Sequence, residues 1–235
     1  MKMKRLIAPK FWRMKKKETK WAVSPRPGPH KKFESIPLVI LLRDILGTVE
    51  TATEARKIVK SGEVVADGKA RRDRKYSVGL MDAVSMPKLG KSYRIVPGKK
   101  GLEPVEIPES EANKKICKIN NKAILKGEST QLNCHDGRNI LIKDKSGKDY
   151  KTGDSLLIEL PSQKIIEHLK FDKGNVALIT KGKNAGMIAN IKKISKATVK
   201  ERAKATFATE SGDIDIDKDY VLVVGKAKPL IKVSE

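Results

Sequence analysis

Cysteine, histidine, aromatic residues and acidic charge are all scarce in this 235-residue chain. Two cysteines, Cys117 and Cys134, exclude a multi-bridge disulfide framework and are expected to be reduced thiols of a cytosolic protein. A zinc site from Cys117, Cys134 and His135 with His30 or His168 has no compact ligand spacing. Adjacent Cys134 and His135 on a strand would also point to opposite faces, so no metal or other cofactor is expected. With 4% aromatic residues, any core must be aliphatic. The longest apolar run, Ile36–Leu42, is closed by Arg43, far short of the ~20 residues of a membrane span. The basic N-terminus lacks a following apolar stretch, so it does not read as a signal peptide, and no membrane association is expected.

Positive charge is present in excess. Lys and Arg number 51 against 28 Asp and Glu, a formal balance of +23, and it is unevenly placed. Residues 1–36 carry +10, residues 37–100 carry +7, residues 101–168 are neutral and residues 169–235 carry +6. Such self-repulsion contributes nothing to a fold and implies an external polyanion, with nucleic acid the first candidate. The length suits two or three small domains.

Residues 1–36 read as an extended basic arm. Lys4, Arg5, Lys10, Arg13, Lys15, Lys16 and Lys17 are interleaved with Leu6, Ile7, Phe11, Trp12 and Trp21; Arg26, Lys31 and Lys32 surround a Pro-rich, non-helical stretch. A solvated tail would look similar, but the aromatic interleaving favours an arm that orders on RNA, with indoles such as Trp12 stacking on bases and cations on phosphates. Residues 37–100 change character. A short apolar helix over Leu38–Leu46 ends at Gly47. A second helix starts on the capping box of Thr51 and Glu54 and stops at Gly62, with Arg56, Lys57 and Lys60 on its polar side. A strand over Glu63–Ala66, the turn pair Asp67-Gly68 and the cations Lys69, Arg71, Arg72, Arg74 and Lys75 follow, and Val78–Met86 closes with another short strand. This stretch resembles the alpha-L RNA-binding motif, with Asp67 in place of the usual Asn.

Residues 101–168 show strand candidates at Val105–Ile107, Ile116–Ile119, Ser129–Cys134, Asn139–Ile142 and Ser155–Leu160 between turn signals, the rhythm of a small β domain. Residues 169–235 hold two apolar segments flanking a Gly-rich basic turn with Lys181, Lys183, Asn184 and Gly186. A phosphate-binding P-loop fails here, because no Gly-Lys-Ser/Thr and no helix follow. The segment resembles the KOW motif, an SH3-like β unit, although a plain hairpin accounts for it equally well on its own. The stretch Glu210–Asp219, acidic at five positions, is expected to face solvent or a basic protein.

The order of these parts, with the strings Lys4-Arg5-Leu6, Pro25-Arg26-Pro27, Gly28-Pro29-His30-Lys31, Glu34-Ser35-Ile36-Pro37-Leu38, His135-Asp136-Gly137-Arg138-Asn139 and Asp219–Gly225, resembles the archaeal and eukaryotic small-subunit ribosomal protein four, e-type, over the whole chain. Its length suggests an archaeal member. The resemblance implies an α+β chain: arm 1–36, alpha-L domain 37–100, central β domain 101–168 and KOW domain 169–235. It implies a non-catalytic rRNA-binding constituent of the cytoplasmic small ribosomal subunit, with neighbouring ribosomal proteins as partners and neither small-molecule substrate nor self-association. Arg56, Lys57, Lys60, Lys69, Arg71, Arg72, Arg74 and Lys75 would form one contact face, and Lys181, Lys183 and Asn184 a second. Two rivals compete. An RNA pseudouridylase needs a sizeable catalytic α/β domain that neutral residues 101–168 are too short to supply. A KOW-bearing elongation factor would not need the arm.

Overall fold

The structure, a computed structural model, describes residues 3–15, 17–125, 129–143, 145–195, 197–198, 202–209 and 212–234. They form two compact units, one reaching to Lys115 together with Ser234 and one spanning Ile116–Val233. Both are β-rich, and the described α-helices are few and short. No helix among the described residues is long and apolar enough to cross a membrane.

In the first unit Met3–Lys4 (β1) and Trp21–Ala22 (β2) form an antiparallel ribbon. Met3 faces Ala22 across it and both are buried, whereas Lys4 faces Trp21 and both are exposed, the period-two alternation of strands. Ile36–Pro37 (β3) leads into one helical turn, Leu38–Ile40 (α1), which widens into a π-helical turn over Leu41–Ile45. The sequence predicts a regular helix here. Instead Leu46 N donates to Leu41 O at 2.9 Å, five residues back, and Thr48 caps Leu42 O through both its amide (3.0 Å) and its hydroxyl (3.1 Å).

The second helix, Ala52–Ser61 (α2), forms as its sequence signals predict. Glu54 N donates to Thr51 Oγ1 at 3.2 Å and Thr51 N donates back to Glu54 Oε2 at 3.4 Å, and Gly62 ends the helix at φ 85°. Val65–Ala66 (β4) and Lys69–Ala70 (β5) make a hairpin whose two-residue turn has Asp67 at φ 53° and Gly68 at φ 71°, the primed geometry that matches strand twist. Ser77–Val78 (β6) pairs with β3. Ala83–Met86 (β7), Lys91–Gly98 (β8) and Gly101–Ile107 (β9) complete a five-stranded sheet in the order β5-β4-β7-β8-β9. Buried Arg94 then fastens the short helix Glu109–Ala112 (α3), donating to Glu111 Oε2 at 3.0 Å and to the carbonyls of Glu111 and Lys114 at 2.9 Å.

Two expectations are corrected here. The described residues of this N-terminal segment are not an extended arm: Met3, Ala8, Trp12, Met14 and Ala22 belong to the buried cluster that holds Ile36, Leu38–Leu42, Ala55 and Val59. Trp12 Nε1 donates to Ser35 O at 2.9 Å, and burying a ring of this size contributes on the order of 3 kcal/mol. On the 3₁₀ turn Lys10–Trp12 the indole is buried while Lys10 is exposed, whereas the turn Arg5–Ile7 buries none of its residues. Val105–Ile107, in turn, is the end of β9 and pairs with β8, so it closes the first unit's sheet rather than opening a central one.

The second unit begins at Ile116 within Lys114–Ile124 (β10), which lies with Thr130–Cys134 (β11), Asn139–Ile142 (β12), Ser155–Glu159 (β13) and Ile165–Leu169 (β14) in the order β12-β11-β10-β13-β14. Cys117, Ile119, Leu132, Cys134, Leu156 and Ile158 form its aliphatic core. Val176–Ile179 (β15), Ile188–Ser195 (β16), Lys204–Thr209 (β17) and Gly212–Asp217 (β18) make an antiparallel meander, and Val221–Gly225 (β19) returns to the free side of β15.

Candidate nucleic-acid interface

Helix α2 buries Ala55 and Val59 and turns Arg56, Lys57 and Lys60 to solvent, as the 3.6-residue period requires. At its C-terminal end a Cβ on Gly62 would stand 3.5 Å from Arg72 Nε. Arg72 therefore comes against the helix terminus, where the backbone dipole favours a cation. Arg71 N donates to Val64 O at 2.9 Å, and its guanidinium lies 4.2 Å from the Tyr76 ring centroid. Burial, then the Asp82 carboxylate, pushes the Tyr76 phenol up to about 12.

Asp73 gathers more cations beside this helix. Its Oδ1 accepts from Lys75 N at 2.9 Å and its Oδ2 pairs with Arg26 at 3.1 Å, while Arg26 N donates to Lys75 O at 3.0 Å and Val39 N to Arg74 O at 3.2 Å. Arg26 is thus held beside the cationic run Arg71, Arg72, Arg74 and Lys75 through Asp73 and Lys75, with Lys69 exposed on β5. The remaining N-terminal candidates scatter. Lys4, Lys10, Lys17 and Lys31 are exposed. Arg5 donates to Met14 O, Arg13 pairs with Glu103 at 2.8 Å, Lys15 pairs with Glu18 at 3.3 Å, and Lys32 sits 5.4 Å from the Phe33 centroid. Lys16 lies outside the described residues. Trp12, expected to stack on bases, is fully buried; its ring faces are spent on the core.

Beneath this surface lies a buried charge cluster. Lys115 Nζ donates to Asp67 Oδ2 at 2.7 Å and to Asp82 Oδ1 at 2.5 Å, and His30 Nε2 contacts Asp82 at 2.9 Å. A Cβ at Gly79 would collide with the His30 ring, so the close approach needs glycine there. Asp67 Oδ1 and Asp82 Oδ2 accept from Ala83 N (3.1 Å) and Gly79 N (2.9 Å). Burial pushes the Asp82 carboxyl up, but the Lys115 ammonium and His30 outweigh it and hold Asp82 well below the usual carboxylate range. The cluster binds the N-terminal segment, the Asp67-Gly68 turn and the start of β10 into one body.

In the second unit the β15–β16 loop exposes Lys181 and Lys183. Asn184 O accepts from Met187 N at 3.2 Å and Gly186 N donates to Ile179 O at 2.8 Å. Lys181 Nζ lies 6.0 Å from the Tyr220 centroid. Lys118 completes this group. Its Nζ donates to the carbonyls of Lys218 and Asp219 at 2.8 and 2.9 Å. Burial, and to a smaller extent the Lys218 and Lys181 charges, lower its ammonium to about 8 against the pull of Asp219.

The chain is 44% identical over 98% of its length to the small ribosomal subunit protein eS4 of Archaeoglobus fulgidus, and 42% identical over 99% to that of Ignicoccus hospitalis, covering 97% and 94% of those proteins. It belongs to the S4e family of ribosomal proteins. The model of ribosomal family S4e matches residues 89–165, and the RS4NT (NUC023) domain model matches residues 1–33. The crystal structure of the 30S ribosomal protein S4e from Thermoplasma acidophilum superposes with a TM-score of 0.70 at 33% identity, covering 83% of this chain and 96% of that one.

Two cations of this S4e chain escaped the sequence reading. Lys115 and Lys118 sit on one strand, and the oxygens they are seen to reach, on Asp67, Asp82 and Lys218, lie 33 or more residues away. The structure also brings Cys117, His135 and Asp136 within 4.8 Å of one another. Their atoms are engaged: Cys117 Sγ reaches Asp136 Oδ2 at 3.4 Å, Arg138 Nε donates to the same oxygen at 2.8 Å, and His135 Nδ1 accepts from Lys118 N at 3.2 Å. A guanidinium on the shared carboxylate opposes a bound cation. Of the other residues weighed for a zinc site, Cys134 faces the core, His30 pairs with Asp82 and His168 pairs with Asp154 at 2.8 Å.

Proposed function

We propose that this S4e-family chain is a structural, non-catalytic constituent of the cytoplasmic small ribosomal subunit that binds and stabilises folded small-subunit rRNA. The observation that carries this reading is the capped helix α2, which turns Arg56, Lys57 and Lys60 outward beside Arg72. With Lys69, Arg71, Arg74, Lys75 and Arg26 it forms a face of cations suited to phosphates that RNA tertiary structure brings close. The α2 and β4–β5 unit is read as an alpha-L domain, and the β15–β19 sheet as a KOW-type unit whose Lys181, Lys183 and Asn184 meet RNA a second time. Lys4, Lys10, Lys15, Lys17, Lys31 and Lys32 supply further phosphate contacts. On β18 the acidic residues Asp213, Asp215 and Asp217 suit a basic neighbouring ribosomal protein rather than RNA.

The test is retention of folded small-subunit rRNA on a filter as salt is raised. Counterion release makes affinity fall by about 10³-fold or more between 50 and 200 mM salt where 6 or more phosphates are neutralised. Weak binding indifferent to salt would contradict the reading.

A further inference from the structure

The chain's two tryptophans, Trp12 and Trp21, stand in opposite environments. Trp12 is 0% exposed and Trp21 is 45% exposed. Register explains the second: Trp21 lies on β2 opposite Lys4, on the outward face of a ribbon whose inward pair is Met3 and Ala22. Arg5 N donates to Lys20 O at 3.1 Å, which lays the 3₁₀ turn Arg5–Ile7 alongside Lys20 and Trp21. On that turn Leu6 is 94% and Ile7 57% exposed, and Lys20 Nζ stands 5.9 Å from the Trp21 ring centroid.

One small surface therefore combines an indole, two bare aliphatic side chains and the cations Lys4 and Lys20. Its chemistry differs from that of the α2 face, where the Tyr76 ring lies under Arg71. An RNA duplex presents phosphates and hides its base faces, so the α2 face suits it. An unpaired nucleotide presents both a phosphate and a π-face, and demands a ring beside a cation. The surrounding segment carries a net +10, which selects a polyanion over an acid-poor protein surface. We infer that the β1–β2 ribbon is a base-stacking platform for unpaired RNA nucleotides, with Trp21 as the stacking residue, distinct from the phosphate-binding face of α2. The inference rests on the RNA-binding reading above.

The test uses the full chain and two probes of equal phosphate number, a single-stranded oligoadenylate and a blunt RNA duplex. Tryptophan emission is followed, with buried Trp12 as an internal reference for the fold. Oligoadenylate should quench the Trp21 contribution and the duplex should not. Trp21→Ala should weaken oligoadenylate binding roughly 5- to 100-fold, leave duplex binding unchanged, and keep the blue-shifted Trp12 emission. Oligoadenylate bound without any change in Trp21 emission, or bound as tightly by Trp21→Ala, would overturn the platform and assign the patch to a protein neighbour. If neither probe nor small-subunit rRNA binds at all, the RNA-binding reading itself fails.

Discussion

Lys115 Nζ stands 2.7 Å from Asp67 Oδ2, with 0% and 4% of the two side chains exposed. Asp82 completes the neutralisation of this ammonium. Removing one partner of such a group leaves an uncompensated buried charge, at a cost of about 3–5 kcal/mol. Lys115→Met should lower the unfolding free energy of the protein by that amount in a denaturant titration. A cost under about 1 kcal/mol would mean that the cluster does not hold the first unit together.

Arg56 and Lys60 make the complementary case. Both are exposed on α2, opposite buried Ala55 and Val59. Changing both to Ala should leave stability within about 0.5 kcal/mol yet weaken rRNA binding, with the salt slope reduced by about 1 per cation removed. An unchanged slope in filter binding would place the RNA elsewhere.

Helix α2 and the Asp67-Gly68 turn were legible because their signals are local. Thr51, Glu54 and Gly62 fix the helix ends within a dozen residues, and Asp-Gly is a turn signal by itself. Trp12 was not, because its burial depends on Ser35 and on Leu38–Leu42 far along the chain, and an indole among lysines reads as well for RNA as for a core. Asp67 was understood as turn chemistry, but its second role needs Lys115, 48 residues away. The contact faces were legible as lists of cations; which cations converge was not, since Arg26 reaches Asp73 and Lys75, and Arg72 reaches Gly62 at the end of α2, only through tertiary contacts.

Trp12 carries the prediction that separates a packed N-terminal segment from a loose tail. Trp12→Ala should cost about 3–5 kcal/mol and expose the segment to rapid hydrogen exchange. If the amides of residues 3–15 exchange freely in the unsubstituted protein, the segment is not packed in solution.

Lys118 gives a pH dependence with a defined sign. Its folded value is about 8 and its ordinary value 10.5, so between these the unfolded chain holds more protons than the folded one. Stability from this group therefore rises as pH increases from about 8 to about 10.5 and is flat below about 8. The difference between the parent protein and Lys118→Met, followed by denaturant titration, should grow across that window. A difference constant with pH would show that the ammonium is not desolvated.

The central claim is a place in the small ribosomal subunit, and sedimentation of a native lysate from the source cells on a sucrose gradient at moderate salt tests it directly. Stoichiometric migration with the small subunit, persisting until high salt strips the protein off, is the predicted result. A free, slowly sedimenting pool at moderate salt would contradict it.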